Sequence, residues 1–207
     1  MMNTSSNKDH WEHIYTTKSP EELSWTEAVP EISFSLIQGF HLPGTASIID
    51  IGGGESGLAG FLLEAGYSKI SVLDISETSI QKAKARLGER SDQINWIVQD
   101  VTEFRTNGQF DCWHDRATFH FLTTNEQISK YTSLAKQYVK PDGYLIVGTF
   151  SKKGPEKCSG LSIKQYDQQE MSVAFADGFK TLGCRSQEHE TPFKTKQHFT
   201  FCTFQRI

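Results

Sequence analysis

The chain has 207 residues and a formal net charge of −4, with 37% hydrophobic and 22% charged residues, values that predict one compact globular domain. The negative charge gives no reason to expect nucleic acid or an anionic membrane as a partner. No apolar run approaches the roughly 20 residues that span a bilayer. The N-terminal sequence is polar and lacks the apolar region of a signal peptide, so we expect a cytoplasmic protein.

The four cysteines are scattered and form no C-x-x-C pair. A zinc site would require paired ligands at short spacing, and a disulfide framework is typical of secreted chains. We therefore expect reduced cysteines and no bound metal. The cysteines are Cys112, Cys158, Cys184 and Cys202.

The first 44 residues form a separate section rich in aromatic side chains. Trp11 and Tyr15 share one face of a short helical segment, and the sequence SPEE at 19–22 is a capping box. A second helix follows, with an apolar stripe between residues 32 and 40. This section either packs on the remaining fold or covers a ligand as a lid.

From residue 47 onward, strand-like and helix-like segments alternate, which predicts a parallel sheet covered on both faces. The last two strand-like runs, 184–190 and 198–207, follow each other with only a short polar connection. Parallel strands need a long crossover, so this pair is predicted to be an antiparallel hairpin. The other predicted strands are 47–51, 69–75, 94–100, 110–115 and 143–150, and the predicted helices are 58–65, 76–88 and 125–140.

The sequence IIDIGGGESG at 48–57 joins the first of these strands to the next helix. Gly52, Gly54 and Gly57 match the dinucleotide fingerprint G-x-G-x-x-G, whereas Asp50, Gly52 and Gly54 begin the D-x-G-x-G loop of S-adenosylmethionine sites. A pyrophosphate is stabilised by backbone N–H groups and opposed by a nearby carboxylate. S-adenosylmethionine carries an ammonium and a sulfonium, which a carboxylate attracts. Asp50 therefore favours the sulfonium cofactor.

Two more acids follow the second and third strands. Asp74 is able to accept hydrogen bonds from both hydroxyls of a ribose, which suits either cofactor. Asp100 is able to bind an adenine amino group, or alternatively to cap a turn.

The segments IIDIGGGESG, VLDIS and WIVQDVTEF resemble the first three motifs of class I S-adenosylmethionine-dependent methyltransferases, over roughly residues 45–150. The resemblance implies an α/β fold with a Rossmann-like, doubly wound, mostly parallel seven-stranded sheet and a C-terminal antiparallel hairpin. It also implies one methyltransferase domain over residues 1–207, with a helical N-terminal lid over 1–44 and a cofactor-binding core over 45–207. Ser56 departs from the family, which has a third glycine there, and this departure produces the apparent dinucleotide fingerprint.

The same resemblance implies which residues bind the cofactor. The segment HWEHIYTTKSPEELSW resembles the N-terminal lid of thiopurine-type and protein-lysine methyltransferases, which brings three aromatic residues near the cofactor. The implied cofactor residues are Asp50, Gly52, Gly53 and Gly54 at the methionine half, Asp74 and Ile75 at the ribose, Asp100 and Val101 at the adenine, His114 at the amino-acid end, and Trp11, Tyr15 and Trp25 in the lid.

The fourth strand ends in three ionisable residues, His114, Asp115 and Arg116, beside the position of the transferred methyl group. Asp115 is able to orient or deprotonate an acceptor, and Arg116 is able to pair with an acidic substrate, so both are predicted to be catalytic. His114 acts either as a base or only through its backbone. Alternatively, Asp115 and Arg116 pair with each other or cap the next helix. His120 is predicted to be a packed or lid-facing residue.

The sequence thus predicts an enzyme that transfers a methyl group from S-adenosylmethionine to an O, N or S nucleophile and releases S-adenosylhomocysteine. A small-molecule acceptor is favoured over a protein lysine, because no recognition domain is appended and the aromatic lid is suited to a compact pocket. The other hypotheses are a nicotinamide-dependent oxidoreductase and a non-catalytic binding module. The acceptor and the oligomeric state are not determined by the sequence.

Overall fold

The computed structural model describes residues 4–207, with side chains described from Asn7 onward. Residues 1–3 of the predicted lid lie outside the described part. The strands are β1 (Ser47–Ile51), β2 (Lys69–Asp74), β3 (Ile94–Val98), β4 (Phe110–Arg116), β5 (Val139–Phe150), β6 (Lys157–Cys158), β7 (Leu161–Ser162), β8 (Phe179–Glu190) and β9 (Lys196–Arg206). The helices are α1 (Thr4–Thr17), α2 (Glu31–Gln38), α3 (Leu58–Glu64), α4 (Glu77–Leu87), α5 (Asn125–Tyr138) and α6 (Gln168–Phe175).

Seven strands form one sheet in the order β3-β2-β1-β4-β5-β9-β8. The first five pair in parallel, whereas β9 is antiparallel to both of its neighbours, β5 and β8. The strand order reverses between β1 and β4, which is where ligands bind in open α/β sheets. This topology confirms the predicted seven-stranded, mostly parallel sheet with its C-terminal antiparallel hairpin.

Local sequence signals account for several element ends. Ser76 caps α4 by accepting a hydrogen bond from the Ser79 amide at 3.1 Å, and Gly88 ends that helix with φ of +60°. The predicted fifth strand and the helix before it have different bounds in the structure. That helix ends at Tyr138, and strand β5 already begins at Val139, which pairs with Phe110 of β4 ahead of the Pro-Asp-Gly sequence.

The segment after β5 is polar in sequence, and the structure gives it regular elements. The two short strands β6 and β7 pair as an antiparallel hairpin, and helix α6 follows. A capping box was the signal for this helix, since Asp167 accepts a hydrogen bond from the Glu170 amide at 2.8 Å.

Apolar side chains cover both faces of the sheet, and the alternation of side chains along β4 shows the division. Trp113 is buried on the side covered by α5, whereas Cys112 is buried on the opposite side, where α2 and α3 pack. Neighbouring residues of one strand therefore belong to different environments. This division decides which residues at the end of β4 face a cavity.

The expectation of reduced cysteines is corrected for one pair. Cys184 on β8 lies directly opposite Cys202 on β9, with a Cα–Cα distance of 4.1 Å, and the two form a disulfide. Cys112 and Cys158 are free and buried. Pairing across the hairpin depends on strand register, which the scattered spacing in the sequence does not reveal.

In the described part of the chain, none of the helices has both the length and the apolar character needed to cross a bilayer. The same residues contain no cluster of three or more His, Cys, Asp or Glu side chains arranged to hold a metal ion.

Candidate functional site

The glycine loop after β1 packs tightly against three side chains. Gly52 has φ of +66°, and a Cβ atom there would lie 1.8 Å from the Thr118 hydroxyl oxygen. A Cβ atom at Gly53 would lie 2.4 Å from Asp50 Oδ2. At Gly54 it would lie 2.5 Å from Asp74 Oδ2. The predicted loop glycines are therefore required by close packing and, at Gly52, by backbone conformation.

Asp50 at the end of β1 pairs with His114 of β4. The two residues are register partners on adjacent parallel strands, so their side chains lie on the same face of the sheet. Asp50 Oδ1 lies 2.6 Å from His114 Nδ1, and each residue is only 2% exposed. The structure thus gives one carboxylate oxygen of Asp50 an imidazole partner that sequence reasoning did not anticipate. It also shows that the side chain of His114, and not only its backbone, makes a specific contact.

Asp74 ends β2 and is 5% exposed. Its Oδ1 accepts a hydrogen bond from the Ser76 amide at 2.8 Å. Burial raises the pKa of Asp74 to about 6, and the nearby carboxylates of Asp50 and Glu12 act in the same direction. The site therefore holds a carboxylate that is poorly solvated and able to accept further hydrogen bonds.

Asp100 caps a turn and also lies at a cavity. Its Oδ1 accepts hydrogen bonds from the amide and the hydroxyl of Thr102, each at 2.8 Å, so it caps the short turn that follows β3. Asp100 and Val101 also line the same cavity as Asp74 and Ile75. Capping holds the Asp100 side chain at the cavity wall.

Two adjoining cavities lie at this edge of the sheet. The first cavity contains the ends of β2 and β3 and reaches an apolar end at Phe121, Phe150 and Cys158. The second cavity contains Asp50, His114 and the glycine loop. The two cavities share four lining residues: Tyr15, Trp25, Gly52 and Arg116.

The N-terminal section covers the first cavity with aromatic rings. Trp11 lies against Tyr15, Trp25 and Phe121, with ring centroids 6.2, 5.8 and 5.1 Å away. Trp11, Tyr15 and Trp25 all line the first cavity, and the last two also line the second. The structure thus brings the three predicted lid residues together at the cavities.

Glu12 of α1 joins this section to the core. Its carboxylate accepts hydrogen bonds from the Ser76 hydroxyl at 3.1 Å and from the amides of Glu77 and Thr78 at 2.6 and 3.2 Å. Burial acts to raise the pKa of Glu12, but these hydrogen bonds outweigh it and lower the pKa. A carboxylate at the N-terminus of α4 is also favoured by the helix dipole.

Arg116 is held by the segment that follows α1. Its Nη1 donates to the Trp25 carbonyl at 2.9 Å, and its Nη2 lies 3.1 Å from Glu27 Oε1. The guanidinium also lies over the Phe199 ring, 5.1 Å from the centroid. Arg116 therefore lines both cavities while its donors contact the N-terminal section.

Asp115 lies on the other face of β4. Its Oδ1 accepts hydrogen bonds from the amides of Thr118 and Phe119 at 2.9 and 3.2 Å, and its Oδ2 accepts one from the Tyr131 hydroxyl at 2.6 Å. Burial raises its pKa to about 6 despite these donors. Asp115 is fully buried and lines neither of the two cavities, so the structure does not bring it to the predicted acceptor position. The alternative of a cap for the following turn agrees with its contacts.

Several further residues line the first cavity. The sequence leaves Cys158 as either a surface cysteine or a contact to a soft substrate. In the structure it is 6% exposed and lines the first cavity, and burial raises its pKa to about 12. Its strand β6 is too short for a periodic signal. Phe121 and Thr118 follow the unusual end of β4, and their position directly after it was the available signal. His120 is packed against Phe121 and Phe150, as expected, and burial lowers its pKa to about 3.

Comparisons with known proteins agree with this geometry. A family model described as "Methyltransferase domain" matches residues 48–143. The chain is 26% identical over 120 residues to the eEF1A lysine and N-terminal methyltransferase of Mus musculus, covering 58% of this chain and 17% of that protein. It is 35% identical over 135 residues to a malonyl-[acyl-carrier protein] O-methyltransferase of Anoxybacillus flavithermus, covering 62% and 49%. The chain thus spans less than half the length of these two curated relatives.

Solved structures show the same fold. The N-methyltransferase NodS from Bradyrhizobium japonicum WM9, in complex with S-adenosylhomocysteine, matches with a TM-score of 0.68 at 15% identity and 99% coverage of both chains. A structure described as "Conversion of a Disulfide Bond into a Thioacetal Group during Echinomycin Biosynthesis" matches with a TM-score of 0.79 at 17% identity, covering 96% of this chain and 92% of that one.

The residues at the two cavities fit S-adenosylmethionine. Asp74 retains carboxylate capacity for ribose hydroxyls, and Ile75 and Val101 offer apolar contacts to an adenine beside it. The acids Asp50 and Glu55 at the second cavity suit a ligand that carries an ammonium and a sulfonium. The chain therefore carries a methyltransferase domain over residues 48–143.

Proposed function

We propose that this protein transfers the methyl group of S-adenosylmethionine to an O, N or S nucleophile of a small molecule and releases S-adenosylhomocysteine. The observation that carries the proposal is one cavity with two chemically different ends. One end contains the buried acid Asp74 together with Asp100, and the other contains Phe121, Phe150 and Cys158. The first end suits the adenosine of the cofactor, and the second leaves an apolar region for an acceptor.

The cofactor supplies an electrophilic methyl group when bound, and the bond that breaks leaves its electron pair on sulfur. The residues of the chain need to position an acceptor atom about 3 Å from that carbon, in line with the sulfur. We propose that Asp74 holds the ribose and that Asp100 and Val101 hold the adenine. The carboxylates around the second cavity favour the positive charge of the cofactor.

The predicted roles of Asp115 and Arg116 take a different form in this proposal. Asp115 faces away from the cavities, so we assign it a positioning role in which it holds the turn through Thr118 beneath Gly52. Arg116 lines both cavities, and its contacts with Trp25 and Glu27 support a role in holding the N-terminal section closed. An anionic acceptor that displaced Glu27 would restore the pairing predicted from the sequence.

The covering aromatic residues favour a small acceptor. Trp11, Tyr15 and Trp25 line the first cavity from the side of the N-terminal section, and Glu12 fastens that section to α4. A small apolar or aromatic nucleophile fits beneath such a cover. The second candidate is a protein lysine, and it is favoured by the similarity to the eEF1A lysine and N-terminal methyltransferase.

Isothermal titration calorimetry with S-adenosylhomocysteine tests the cofactor part of the proposal. We expect binding by the wild type, and roughly 100-fold weaker binding by Asp74→Ala, because two hydrogen bonds to a charged acceptor are lost. Asp177→Ala is the matched control, since that side chain is 92% exposed and pairs only with Lys136 among the described residues. Absence of wild-type binding at millimolar ligand would contradict the proposal.

The acceptor class is tested by methyl transfer from S-adenosylmethionine carrying an isotopic label on the methyl group. Parallel reactions contain a panel of small O, N and S nucleophiles or a protein extract depleted of small molecules. Label on a small molecule supports the first candidate, and label on protein lysines alone would replace it with the second. Binding without transfer in either reaction would favour a non-catalytic module.

A further inference from the structure

We propose that the methyl acceptor is a small apolar carboxylic acid whose carboxylate binds Arg116 in place of Glu27. The inference rests on the proposed function. It deepens that function by naming the chemical class of the acceptor, and it makes Arg116 the residue that determines specificity. Glu27 is then an exchangeable counter-ion of the guanidinium, which the acceptor displaces.

The guanidinium of Arg116 lies at the apolar end of the first cavity. It lies over the Phe199 ring, which packs against Phe150 with ring centroids 4.8 Å apart. Burial raises the pKa of Cys158 to about 12, and the positive charge of Arg116 acts in the opposite direction. Phe150 and Cys158 both line the end that the adenosine of the cofactor leaves free, and Arg116 is the one cationic side chain that lines this cavity in the described part of the chain. An acceptor at this end therefore meets a positive charge beside apolar walls.

The guanidinium has donor capacity that the protein leaves unused. Phe199 covers one face, and Nη1 donates to the Trp25 carbonyl at 2.9 Å. Nη2 is buried and lies 3.1 Å from Glu27 Oε1, but this contact is not aligned as a hydrogen bond, and Nη2 has no other hydrogen-bond partner among residues 7–207. Buried donors are normally satisfied, and a guanidinium matches the planar geometry of a carboxylate. A ligand carboxylate would complete the hydrogen bonding that Glu27 leaves incomplete.

Glu27 is suited to give up its place beside Arg116. Its side chain is 22% exposed and makes no hydrogen bond with the described residues, although His189 Nδ1 lies 3.5 Å from the same oxygen. Glu27 also lines an outer depression between the N-terminal section and β8, so a displaced carboxylate reaches water. An ion pair at a partly exposed position stabilises a protein only slightly. Exchange of Glu27 for a ligand carboxylate therefore has a small cost.

The N-terminal section keeps its attachment when Glu27 is displaced. His189 Nε2 lies 2.7 Å from the Ser24 carbonyl, and because a carbonyl only accepts, Nε2 donates this hydrogen bond. Arg116 Nη1 holds the Trp25 carbonyl at the same time. Neither contact involves the carboxylate of Glu27. An acid is thus able to replace Glu27 beneath a cover that stays closed.

The charges at the site distinguish between the two candidate acceptors. A buried guanidinium is unfavourable unless it is paired, and burial lowers the pKa of Arg116. The cofactor brings a second positive charge, its sulfonium, to the same cavity. A protonated lysine would add a third, whereas a carboxylate neutralises one. The site therefore favours a small acid over a protein lysine.

Binding of matched acids and amides to the protein saturated with S-adenosylhomocysteine tests the proposal. The probes are benzoate against benzamide and phenylacetate against phenylacetamide, each pair alike in shape and different in charge, measured by calorimetry. The variants are Arg116→Gln, Arg116→Lys and Glu27→Gln. Glu31→Gln, an exposed acid of the same N-terminal section, is the matched control. The affinity of each protein for S-adenosylhomocysteine is measured first.

We expect the wild type to prefer each acid over its amide by about 10- to 100-fold. Arg116→Gln abolishes this preference and Arg116→Lys restores part of it, while both bind S-adenosylhomocysteine within about 3-fold of the wild type. Glu27→Gln binds the acids about 3- to 5-fold more tightly and leaves the amides unchanged, because no resident carboxylate has to be displaced. Glu31→Gln changes none of these affinities. A gain on removal of an ion pair is not expected if Glu27 has only a structural role.

Three outcomes overturn the inference while leaving the proposed function intact. The first is a wild type that binds S-adenosylhomocysteine and binds the acids no better than the amides, or binds neither. The second is a Glu27→Gln protein in which acids and amides weaken equally, which would make Glu27 only a latch of the cover. The third is an Arg116→Gln protein that loses S-adenosylhomocysteine affinity but keeps the preference for acids, which would assign Arg116 to the cofactor. If the wild type does not bind S-adenosylhomocysteine, the proposed function fails, and this inference fails with it.

Discussion

Asp50 and Asp115 are two buried acids at the same edge of the sheet. They differ in whether the side chain paired with each acid has a hydrogen-bonding atom without a partner. Asp50 pairs with the imidazole of His114 at 2.6 Å, and Asp115 pairs with the hydroxyl of Tyr131 at 2.6 Å. The Tyr131 oxygen also accepts a hydrogen bond from Trp113 Nε1 at 3.0 Å, so the second pair is satisfied within the protein. His114 Nε2 has no partner among the described side chains and main chain.

The difference shows that burial and a close partner do not by themselves mark a ligand site. Both carboxylates are at most 2% exposed, yet only Asp50 lies at a cavity. The face of β4 decides the outcome, because His114 points to the side of the glycine loop and Asp115 to the side of α5. The predictions below test this contrast, beginning with the largest expected effect.

Asp115→Ala should destabilise the protein strongly without a specific loss of cofactor binding. The substitution leaves the amides of Thr118 and Phe119 and the hydroxyl of Tyr131 without their acceptor. We expect the free energy of unfolding to fall by about 2–4 kcal/mol in urea titrations. Tyr131→Phe, which removes one donor, should lower it by about 1 kcal/mol. A stable Asp115→Ala protein that binds S-adenosylhomocysteine but transfers no methyl group would contradict the positioning role and support a catalytic role for Asp115.

Asp74→Asn should stabilise the ligand-free protein while weakening cofactor binding. Burial raises the pKa of Asp74 to about 6, so the folded protein favours the protonated acid more than the unfolded chain does. Ionisation of Asp74 therefore lowers stability as the pH rises from about 4 to about 6. The neutral amide should raise the free energy of unfolding by roughly 1–3 kcal/mol at pH 8. Little change is expected at pH 4, where both side chains are uncharged, and equal effects at the two values would contradict this assignment.

The affinity for 5′-methylthioadenosine should fall as the pH falls through about 6. This ligand keeps the ribose but lacks the amino-acid half, so it reports on Asp74 without contacts from that half. A protonated Asp74 is a poorer acceptor for ribose hydroxyls. Between pH 7.5 and pH 5 we expect about a 10-fold loss in calorimetry. Asp74→Asn should flatten the profile, and a pH-independent wild type would remove Asp74 from the ribose site.

Glu12→Ala tests whether the N-terminal section is held by a single carboxylate. The substitution removes the acceptor for the first turn of α4 and should lower the free energy of unfolding by about 1 kcal/mol. S-adenosylhomocysteine should also dissociate about 5-fold faster, because a loss of about 1 kcal/mol in the attachment of the N-terminal section destabilises the bound state by the same amount. Stopped-flow tryptophan fluorescence, to which Trp11 and Trp25 at the cavities contribute, measures this rate. Glu126→Ala, at the exposed start of α5, is the control and should leave dissociation unchanged.

Much of the fold and of the residues that line the two cavities was predictable because their signals are local. The glycines at 52–54, the acid at the end of each of the first strands and the cap at Ser76 are short-range patterns. Each follows from the conformations that a few adjacent residues allow. The alternation of side chains along β4 was also available in the sequence, and it would have separated His114 and Arg116 from Asp115.

The tertiary structure alone decided which of these residues act together. His114 meets Asp50 across 64 positions, Glu12 reaches Ser76 across 64, and Tyr131 meets Asp115 across 16. Cys184 and Cys202 meet because two strands share one register. Such contacts depend on how strands align and how helices pack, and the sequence near each residue carries no record of them. The sequence by itself therefore determined the class of fold and the glycine loop between β1 and α3. Packing decided that Asp50 supports an imidazole, and that Asp115 supports a turn.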